Sequence, residues 1–228
     1  MARVDRSAER AKQDYVKAIL QLGAGLPVRA ADLARYLDVS RAAVTKSRRI
    51  LERARLVQRA SARMDLIALT PRGKSLATRM LRRHRLIETF LHRSLGVPLV
   101  ELHAQAEAIE HVINDDIAAR LERFLGNPQA DPHGHPIPAA HRDIPAADAS
   151  LAQVTAGDML RIASIPDRDP VSLRHLVEQR ILPGLEATLV SRDRKGVRLK
   201  SASGEHVVES GLAPLIGVRV RRRPRNGA

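Results

Sequence analysis

Residues 126–150 divide the chain into two parts whose hydrophobic patterns differ. This segment is rich in Pro, Ala, His and Asp, which predicts an extended linker. Before it, apolar residues recur every three or four positions, as is typical of amphipathic helices. After it, short apolar runs alternate with polar turns, as is typical of strands. These runs lie at 154–165, 187–190, 196–199 and 206–208. The order of the two patterns predicts a mainly helical protein that ends in a small β-barrel.

The positive charge of the chain is concentrated in its amino-terminal part. The formal net charge is +14 at pH 7. Residues 1–93 hold 22 Lys and Arg against eight Asp and Glu, whereas residues 94–228 hold 17 of each kind, so the whole excess precedes residue 94. A basic domain joined to a neutral remainder predicts binding to a polyanion such as DNA.

Composition excludes several classes of protein. The chain has no Cys, so it can form no disulfide framework, zinc ribbon or thiol-based catalytic site. No apolar run approaches the roughly 18 residues that a membrane-spanning helix needs, and the amino terminus lacks the apolar core of a signal peptide. We therefore expect a cytoplasmic protein without a membrane partner.

The pattern of a helix-turn-helix occupies residues 30–54. Two predicted helices, 30–37 and about 41–54, flank a tight turn, and Ser40 is a suitable N-cap for the second. That helix carries small residues and Lys46 near its start and arginines further along. Small side chains allow close approach to base edges, and Lys and Arg bind phosphates or guanine. The pattern favours a DNA recognition helix over the alternative, a generic amphipathic hairpin.

Two strand-like runs, 56–59 and 65–69, follow the predicted recognition helix and indicate a wing. Arg63 lies near its tip, from which it could reach a phosphate or the minor groove. Thr70, followed by Pro, then predicts the start of a helix over about 72–95. The apolar stripe of this helix is broad for so small a domain, so we expect part of it to contact another subunit.

A row of potential metal ligands lies on the predicted helix 99–112. His103, Glu107 and His111 are four residues apart, so their side chains are expected on one face, with Glu110 at its edge. Two imidazoles and two carboxylates form a mixed nitrogen and oxygen donor set that suits a divalent transition metal. The alternative is a solvated polar face.

Further His residues lie on either side of this row. His84 and Glu88 repeat the four-residue spacing on the preceding helix, which strengthens the prediction of a metal site. His133, His135 and His141 fall in the Pro-rich segment, and without a rigid scaffold we expect them to be ordinary loop residues.

Three strings of residues carry a resemblance to a known family. They are Arg-Arg-His-Arg-Leu-Ile-Glu at 82–88, Glu-Ala-Ile-Glu-His at 107–111 and Pro-His-Gly-His-Pro-Ile-Pro at 132–138. The chain resembles the diphtheria-toxin-repressor family of metal-dependent transcriptional regulators, closely over about 10–140 and loosely over 155–220. The resemblance implies a regulator that is not an enzyme. It also implies a homodimer that binds Mn(II) or Fe(II) and then a palindromic operator, and that represses metal-uptake genes.

The resemblance also implies a domain organisation. A winged helix-turn-helix domain, a helical metal-binding and dimerisation domain, a Pro-rich linker, an SH3-like barrel and a basic tail are expected, at residues 1–72, 73–126, 127–152, 153–220 and 221–228 respectively.

Two metal sites in each subunit are implied by the same resemblance. The primary site is expected to comprise Asp14, Glu107, Glu110 and His111. The ancillary site is expected to comprise His84, Glu88 and His103, with Asp167 as a further candidate. The manganese-responsive members have carboxylates where Asp14 and Glu107 stand, so Mn(II) is expected before Fe(II). Lys17 stands where dinuclear members have a Glu, which predicts two separate sites instead of an adjacent pair of metals.

The expected DNA contacts follow from the resemblance as well. They are Ser40, Arg41, Ala42 and Lys46 at the recognition helix, with Arg29, Arg53 and Arg63 as phosphate contacts. No small-molecule substrate is expected.

Two other classes of function remain open from the residues alone. A metal-independent architectural DNA-binding protein would leave the ligand row inert, and metal titration would separate it from a regulator. A metal-dependent hydrolase would use the same His and carboxylate residues for catalysis. The chain has no Gly-rich phosphate loop and no His-Glu-x-x-His motif to support that class.

Overall fold

The computed structural model of the protein describes residues 6–61, 64–138 and 147–221. The chain is mainly helical as far as residue 124 and ends in an antiparallel sheet, as the order of sequence patterns predicts. It divides into two compact units. The amino-terminal unit comprises residues 1–84 and 110–115, and the carboxyl-terminal unit comprises residues 85–109 and 116–228. Of the helices that the structure describes, none is long and apolar enough to cross a membrane.

The amino-terminal unit contains a helix-turn-helix followed by a wing. Its elements are α1 (Arg6–Gly23), β1 (Val28–Arg29), α2 (Ala30–Leu37), α3 (Arg41–Arg53), β2 (Val57–Ser61), β3 (Leu66–Leu69) and the first half of α4 (Pro71–Leu95). The strands form one antiparallel sheet in the order β1-β3-β2. Each element predicted in this part of the sequence is present, with bounds that differ from the prediction by two residues or fewer.

Side-chain caps determine where α3 and α4 begin. Ser40 Oγ accepts a hydrogen bond from the backbone N–H of Ala43 at 3.1 Å, and Thr70 Oγ1 accepts one from Gly73 at 3.1 Å. Gly73 is also needed for packing, because a Cβ atom there would lie 1.9 Å from the carbonyl oxygen of Leu56. The first turn of α4 is therefore pressed against the chain that connects α3 to β2.

A single apolar cluster holds these elements together. It includes Val16 and Ile19 of α1, Leu33 of α2, and Val44 and Leu51 of α3, all of them buried. Burial of each such side chain stabilises the fold by about 1.5–3 kcal/mol. Because α3 directs its apolar face into this cluster, its opposite face is left exposed for binding.

The wing is the hairpin of β2 and β3, whose register shifts between Arg59 and Ser61. Arg63, the predicted contact at its tip, lies outside the described residues. At the base of the wing, Arg48 Nη1 of α3 lies 2.5 Å from Asp65 Oδ1. This ion pair ties the recognition helix to the start of β3.

The carboxyl-terminal unit combines helices with a six-stranded antiparallel sheet. Its elements are the second half of α4, α5 (Leu99–Ile109), α6 (Asp115–Phe124), β4 (Ala149–Ser150), β5 (Met159–Ser164), α7 (Pro170–Glu178), β6 (Glu186–Arg192), β7 (Gly196–Ser201), β8 (Gly204–Glu209) and β9 (Gly217–Arg221). The strand order is β4-β9-β5-β6-β7-β8. The predicted strand over 154–165 is too long, since the chain turns through Gly157, where φ is +93°, before β5 begins.

The alternation of side chains along the strands builds the core of this sheet. Leu160 and Ile162 of β5, Leu189 of β6 and Val218 of β9 point to the same side and are buried. Leu173 of α7 packs into the same cluster. The opposite side of β5 and β9 carries exposed polar residues.

The segment 127–138 does not behave as the predicted extended linker. It folds back on itself through a bridge between Ala130 and Pro136, and Ile137 is buried. Gly134 has a φ of +87° and approaches the end of β5 so closely that a Cβ atom there would lie 2.0 Å from the carbonyl oxygen of Ala163. Residues 127–138 are therefore packed into the carboxyl-terminal unit and are not extended.

Candidate metal centre

The sequence predicts that the ligand row lies on one helical face, but in the structure it does not. The helix that carries it ends at Ile109, and Glu110 and His111 lie in the turn that follows. His103 and Glu107 do share a face of α5, with His103 Nε2 3.7 Å from Glu107 Oε1. The prediction fails because the later residues are held by side chains distant in sequence, which helical periodicity does not take into account.

Asp14, Glu110 and His111 form a cluster in the amino-terminal unit, named here the primary cluster. Each offers one ligand atom, and these atoms lie within 4.8 Å of one another. His111 Nε2 is 2.9 Å from Asp14 Oδ1 and 3.5 Å from Glu110 Oε1. Glu110 is buried and His111 nearly so. Glu107, the fourth predicted member of the site, belongs to α5 and to the carboxyl-terminal unit.

Gln13 fixes the orientation of the His111 ring. His111 Nδ1 donates a hydrogen bond to Gln13 Oε1 at 2.9 Å, because an amide oxygen can only accept. In the neutral imidazole, the other ring nitrogen, Nε2, then carries a lone pair that faces the carboxylates. Neither Nε2 nor Asp14 Oδ1 satisfies the geometry of a hydrogen bond, although both atoms are buried. Electron pairs that converge in this way fit a divalent cation placed between them.

Glu110 is the most constrained carboxylate of the primary cluster. Lys17 Nζ donates to its Oε1 at 2.5 Å, and His84 Nδ1 lies 2.7 Å from its Oε2. All three side chains are buried. The bond to Glu110 fixes the His84 ring and leaves its Nε2 as the nitrogen that could bind a metal. Lys17 brings its positively charged group close to Glu110. The sequence predicts that this charge excludes a second metal adjacent to the primary one.

Glu88, His133 and Asp167 form a second cluster, within the carboxyl-terminal unit. Their ligand atoms also lie within 4.8 Å of one another. Glu88 comes from α4, His133 from the segment 127–138, and Asp167 from the loop between β5 and α7. His103 Nδ1 of α5 is 3.9 Å from Glu88 Oε1. Two predicted ancillary residues, His103 and Asp167, are thus each found beside a third, Glu88.

His133 is oriented toward Glu88 by a second hydrogen bond. Its Nε2 donates to the carbonyl oxygen of Leu99 at 3.1 Å, so the lone pair is on Nδ1. That atom lies 3.8 Å from Glu88 Oε1, is buried, and makes no hydrogen bond to any described residue. The expectation that His133 is an ordinary loop residue is wrong, because its ring is fully buried beside two carboxylates.

Asp131 and His135 extend the second cluster. His135 Nδ1 is 3.6 Å from Asp131 Oδ2 and 3.5 Å from Asp167 Oδ2. Burial alone would raise the pKa of Asp131, but the neighbouring His135 imidazole and the charge of Arg85 hold that pKa below its ordinary value. Burial would lower the pKa of His135, yet Asp131 and Asp167 together raise it. The expectation that His135 is an ordinary loop residue is therefore wrong as well.

The sequence contains a signal that could have pointed to these residues. His133 and His135 flank a Gly and are themselves flanked by Pro, which fixes a short segment of backbone with little conformational freedom. Rigid backbone is what a ligand-bearing loop needs. His141, the third His of the segment, lies outside the described residues.

The predicted DNA contacts lie on the exposed side of the amino-terminal unit. All those that the structure describes are exposed, namely Arg29, Ser40, Arg41, Ala42, Lys46 and Arg53. Arg29 stands at the start of α2, and the other five lie on or beside α3. Among the described residues, the basic members of this set form no ion pair with any acidic side chain, so their charge remains available to a polyanion.

A family model described as the iron-dependent repressor metal-binding and dimerisation domain matches residues 70–139. The iron-dependent repressor IdeR of Mycobacterium leprae is 33% identical to the chain over 167 residues, which cover 72% of this chain and 70% of that protein. The chain belongs to the iron-dependent repressor family. The diphtheria toxin repressor of Corynebacterium diphtheriae is also similar, with 29% identity over 191 residues, 78% of this chain and 84% of that one.

Solved structures of related repressors have the same fold. A manganese-dependent transcriptional repressor in complex with manganese superposes with a TM-score of 0.83 at 34% identity and covers 92% of this chain and all of that one. The manganese regulator SloR superposes with a TM-score of 0.78 at 27% identity and covers 92% of this chain and 98% of that one. This family consists of DNA-binding, dimerising, metal-dependent transcriptional repressors. The chain is accordingly a transcriptional regulator and not a hydrolase.

Proposed function

We propose that the chain is a manganese-responsive repressor of metal-uptake genes that binds a palindromic operator as a metal-loaded homodimer. One observation carries the proposal: Asp14, Glu110 and His111 direct two carboxylates and an imidazole lone pair at one point. Asp14 lies on α1, and α1 packs against α2 and α3 of the helix-turn-helix. A change at the primary cluster can therefore be transmitted to the DNA-binding surface.

The donor atoms favour Mn(II) over Fe(II) as the preferred ion. Asp14, Glu107 and Glu110 provide hard carboxylate oxygens, and the chain has no thiolate to offer. Glu107 precedes Glu110 by three residues, and we propose it as the fourth ligand of the primary site. The solved manganese-dependent repressor that this chain resembles supports the same choice. The bound ion supplies positive charge that offsets the converging carboxylates.

We propose a second site in each subunit, built on Glu88, His103 and Asp167. His84 is its fourth expected member, with Nε2 as the ligand atom because Nδ1 is bonded to Glu110. His133 is added to this set, since its Nδ1 lone pair faces Glu88. The segment 127–138 would thus be part of the metal-binding apparatus. The second site is separate from the primary one, in keeping with Lys17 beside Glu110.

The chain's own residues explain how metal and DNA binding would be coupled. Asp14 on α1 and the turn at 110–111 would be held together by a shared ion, which orders α1 and the helices packed on it. In a dimer, this ordering sets the spacing of two recognition helices for half-sites about one helical turn apart. By linkage, metal and operator must strengthen each other's binding by the same factor, typically corresponding to about 1–3 kcal/mol.

The dimer would use apolar side chains that the carboxyl-terminal unit leaves exposed. Leu95 at the end of α4 is 62% exposed and Phe124 at the end of α6 is 70% exposed. Phe124 meets Phe90 edge-to-face, with ring centroids 6.0 Å apart. The exposed Phe124 ring packed on Phe90 is the kind of apolar surface that is typical of a protein–protein interface. A repressor of this kind acts on chromosomal DNA, so we place it in the cytoplasm.

Operator affinity measured with and without Mn(II) tests the proposal. We expect Mn(II) to tighten binding to a palindromic operator by about 5–150-fold, and calorimetry to give two manganese ions per subunit. Non-palindromic DNA of equal length is the control and should respond much less. Equal operator affinity in both conditions would rule out the regulatory role, because metal binding alone does not make a switch.

A further inference from the structure

A groove in the carboxyl-terminal unit lies between the segment 129–136 and the strands β5 and β9. It has a volume of about 460 Å³. Three arginines from three different elements line it: Arg93 from the end of α4, Arg161 from β5 and Arg219 from β9. The predicted metal ligands at 14, 107, 110 and 111 and the DNA-binding residues are not among its lining.

The two strand arginines are placed directly opposite each other. Arg161 and Arg219 are register partners on antiparallel strands, so their side chains leave the same face of the sheet. Like charges at directly opposed positions destabilise a sheet. Arg161 is also the register partner of Glu186 on β6, but no ion pair forms between them. In the described part of the chain, the guanidinium groups of the three groove arginines make no hydrogen bond or ion pair.

Among the described residues that line the groove, Asp131 alone carries a carboxylate, and its charge is already balanced. Asp131 is buried and lies 3.5 Å from Arg85 Nε and 3.6 Å from His135 Nδ1. Its charge is therefore balanced by neighbours behind the groove wall. No other carboxylate lines the groove among the described residues, so the three arginines give its lining a net positive charge that a neutral or apolar ligand would not offset.

We propose that this groove binds a small molecule that carries at least two oxyanion groups, either carboxylates or phosphates. A guanidinium group presents parallel N–H donors that match both kinds of oxyanion, and two such groups on facing strands suit a ligand with two anionic ends. The groove volume lies in the range of about 300–1,000 Å³ that is common for small-molecule sites. Long single-stranded or duplex DNA would need an open surface instead of a groove of this size.

Residues without long side chains leave room for such a ligand. Gly184 lines the groove, and Arg161 Nη2 lies 3.7 Å from the point where a Cβ atom at residue 184 would stand. Gly134 and Pro136 also line the groove, and neither carries a side chain that would fill it. The inference does not depend on the proposed metal response, since none of the arginines belongs to either metal cluster.

Calorimetric titration of the full-length, metal-free protein tests this site. Succinate and pyrophosphate are the two probes, since each carries two oxyanion groups, and acetate at matched ionic strength is the control for a single anionic group. We expect saturable binding of at least one probe with a dissociation constant of about 1 mM or tighter, which is realistic for a ligand of this size. The stronger of the two identifies the class, a dicarboxylate or a phosphate.

Two variants and a matched control assign the binding to the groove. Arg161→Gln and Arg219→Gln should each weaken the bound probe by about tenfold or more, the effect of losing a charged hydrogen bond. Arg174→Gln, an exposed arginine on α7 outside the groove, should change it less than twofold. Gln at 161 or 219 also relieves the repulsion between the strands, so these variants should stay folded.

Each result decides the question. Saturable binding that both groove variants weaken and the control keeps would establish the site. The proposal is overturned by the absence of saturable binding to both probes, by equal binding of acetate, or by binding that survives both groove variants. None of these results bears on the Mn(II) dependence of operator binding, so the two proposals can fail separately.

Discussion

The ammonium group of Lys17 lies 2.5 Å from Oε1 of Glu110, and both side chains are buried although they are 93 residues apart in the chain. This ion pair joins α1 to the turn that follows α5. It places the Lys17 side chain against a carboxylate that the primary cluster also uses. Lys17 therefore holds Glu110 in position before any metal binds.

Replacement of Lys17 by Met should lower the free energy of unfolding of the metal-free protein. Loss of one partner leaves a buried carboxylate without its main counter-charge, and such losses cost about 3–5 kcal/mol. Urea denaturation followed by circular dichroism measures the change. Lys12→Met is the matched control on the same helix, because Lys12 pairs with Glu9 at the surface and should matter by about 0.5 kcal/mol or less. Equal effects of both substitutions would contradict the role assigned to Lys17.

Replacement of Asp14 by Ala should remove the metal response and leave the fold intact. Asp14 is partly exposed, so its loss opens no core cavity. Removal of one of the converging carboxylates should weaken Mn(II) binding at the primary site and make operator affinity insensitive to Mn(II). Fluorescence anisotropy with labelled operator measures this. Glu9→Ala, at an acidic position on the same helix, should retain the full response. A retained Mn(II) response in the Asp14 variant would rule out the proposed switch.

Replacement of His133 by Gln should affect the second site alone. The substitution removes the nitrogen lone pair beside Glu88 while it keeps a polar side chain of similar length. We expect calorimetric stoichiometry with Mn(II) to fall from two ions per subunit to one, or the weaker binding phase to shift beyond detection. His175→Gln on α7 is the control and should leave both phases unchanged. An unaltered titration in the His133 variant would remove this residue from the site.

Replacement of Arg29 by Ala should weaken binding to every DNA sequence by a similar factor. Arg29 is exposed at the start of α2. We expect it to contact a phosphate and no base edge, and phosphate contacts carry no sequence information. The slope of log affinity against log salt should become shallower by about one unit for the lost phosphate contact. A combined Ser40 and Lys46 substitution should instead change the preference among operators. If Arg29→Ala changed the preference among operators and the combined Ser40 and Lys46 substitution weakened binding to all DNA equally, the recognition surface would lie elsewhere.

Replacement of Asp169 by Ala should destabilise the carboxyl-terminal unit through α7. Asp169 is its N-cap, with oxygens that accept hydrogen bonds from Ser172 and Val171, and loss of a cap costs about 1 kcal/mol. Hydrogen bonds from Ser172 hold the pKa of Asp169 below its ordinary value of 3.8. A lowered pKa means that the stabilisation is present above the ordinary value and disappears as the pH falls through the folded-state pKa.

The wild-type protein and the Asp169→Ala variant should therefore differ in stability near neutral pH and have similar stabilities in strong acid. Thermal unfolding at pH 6 and at about pH 2 measures the difference. Asp169→Asn keeps a good capping side chain without a titratable group, so it should retain most of the stability at pH 6. A constant gap between wild type and the Ala variant at every pH would mean that the carboxylate charge has no part in the cap.

The local signals of the chain determine much of the fold and the DNA-binding surface. Ser40 and Thr70 act on backbone N–H groups three residues away, so the starts of α3 and α4 can be predicted without knowledge of the rest of the molecule. Apolar periodicity likewise predicts the helices and most of the strands. The residue types of the primary cluster were also predictable, because His and carboxylates at helical spacing indicate the class of ligand, even though α5 ends at Ile109 and divides the row.

Only the tertiary structure decides which of these residues meet. Lys17 with Glu110 and His133 with Glu88 are contacts between parts of the chain far apart in sequence, and no local pattern specifies them. The same holds for Arg161 and Arg219, whose opposition depends on strand register. The physical reason is range: caps and periodicity act over a few residues, whereas burial and charge pairing act between whatever surfaces the packed core brings together.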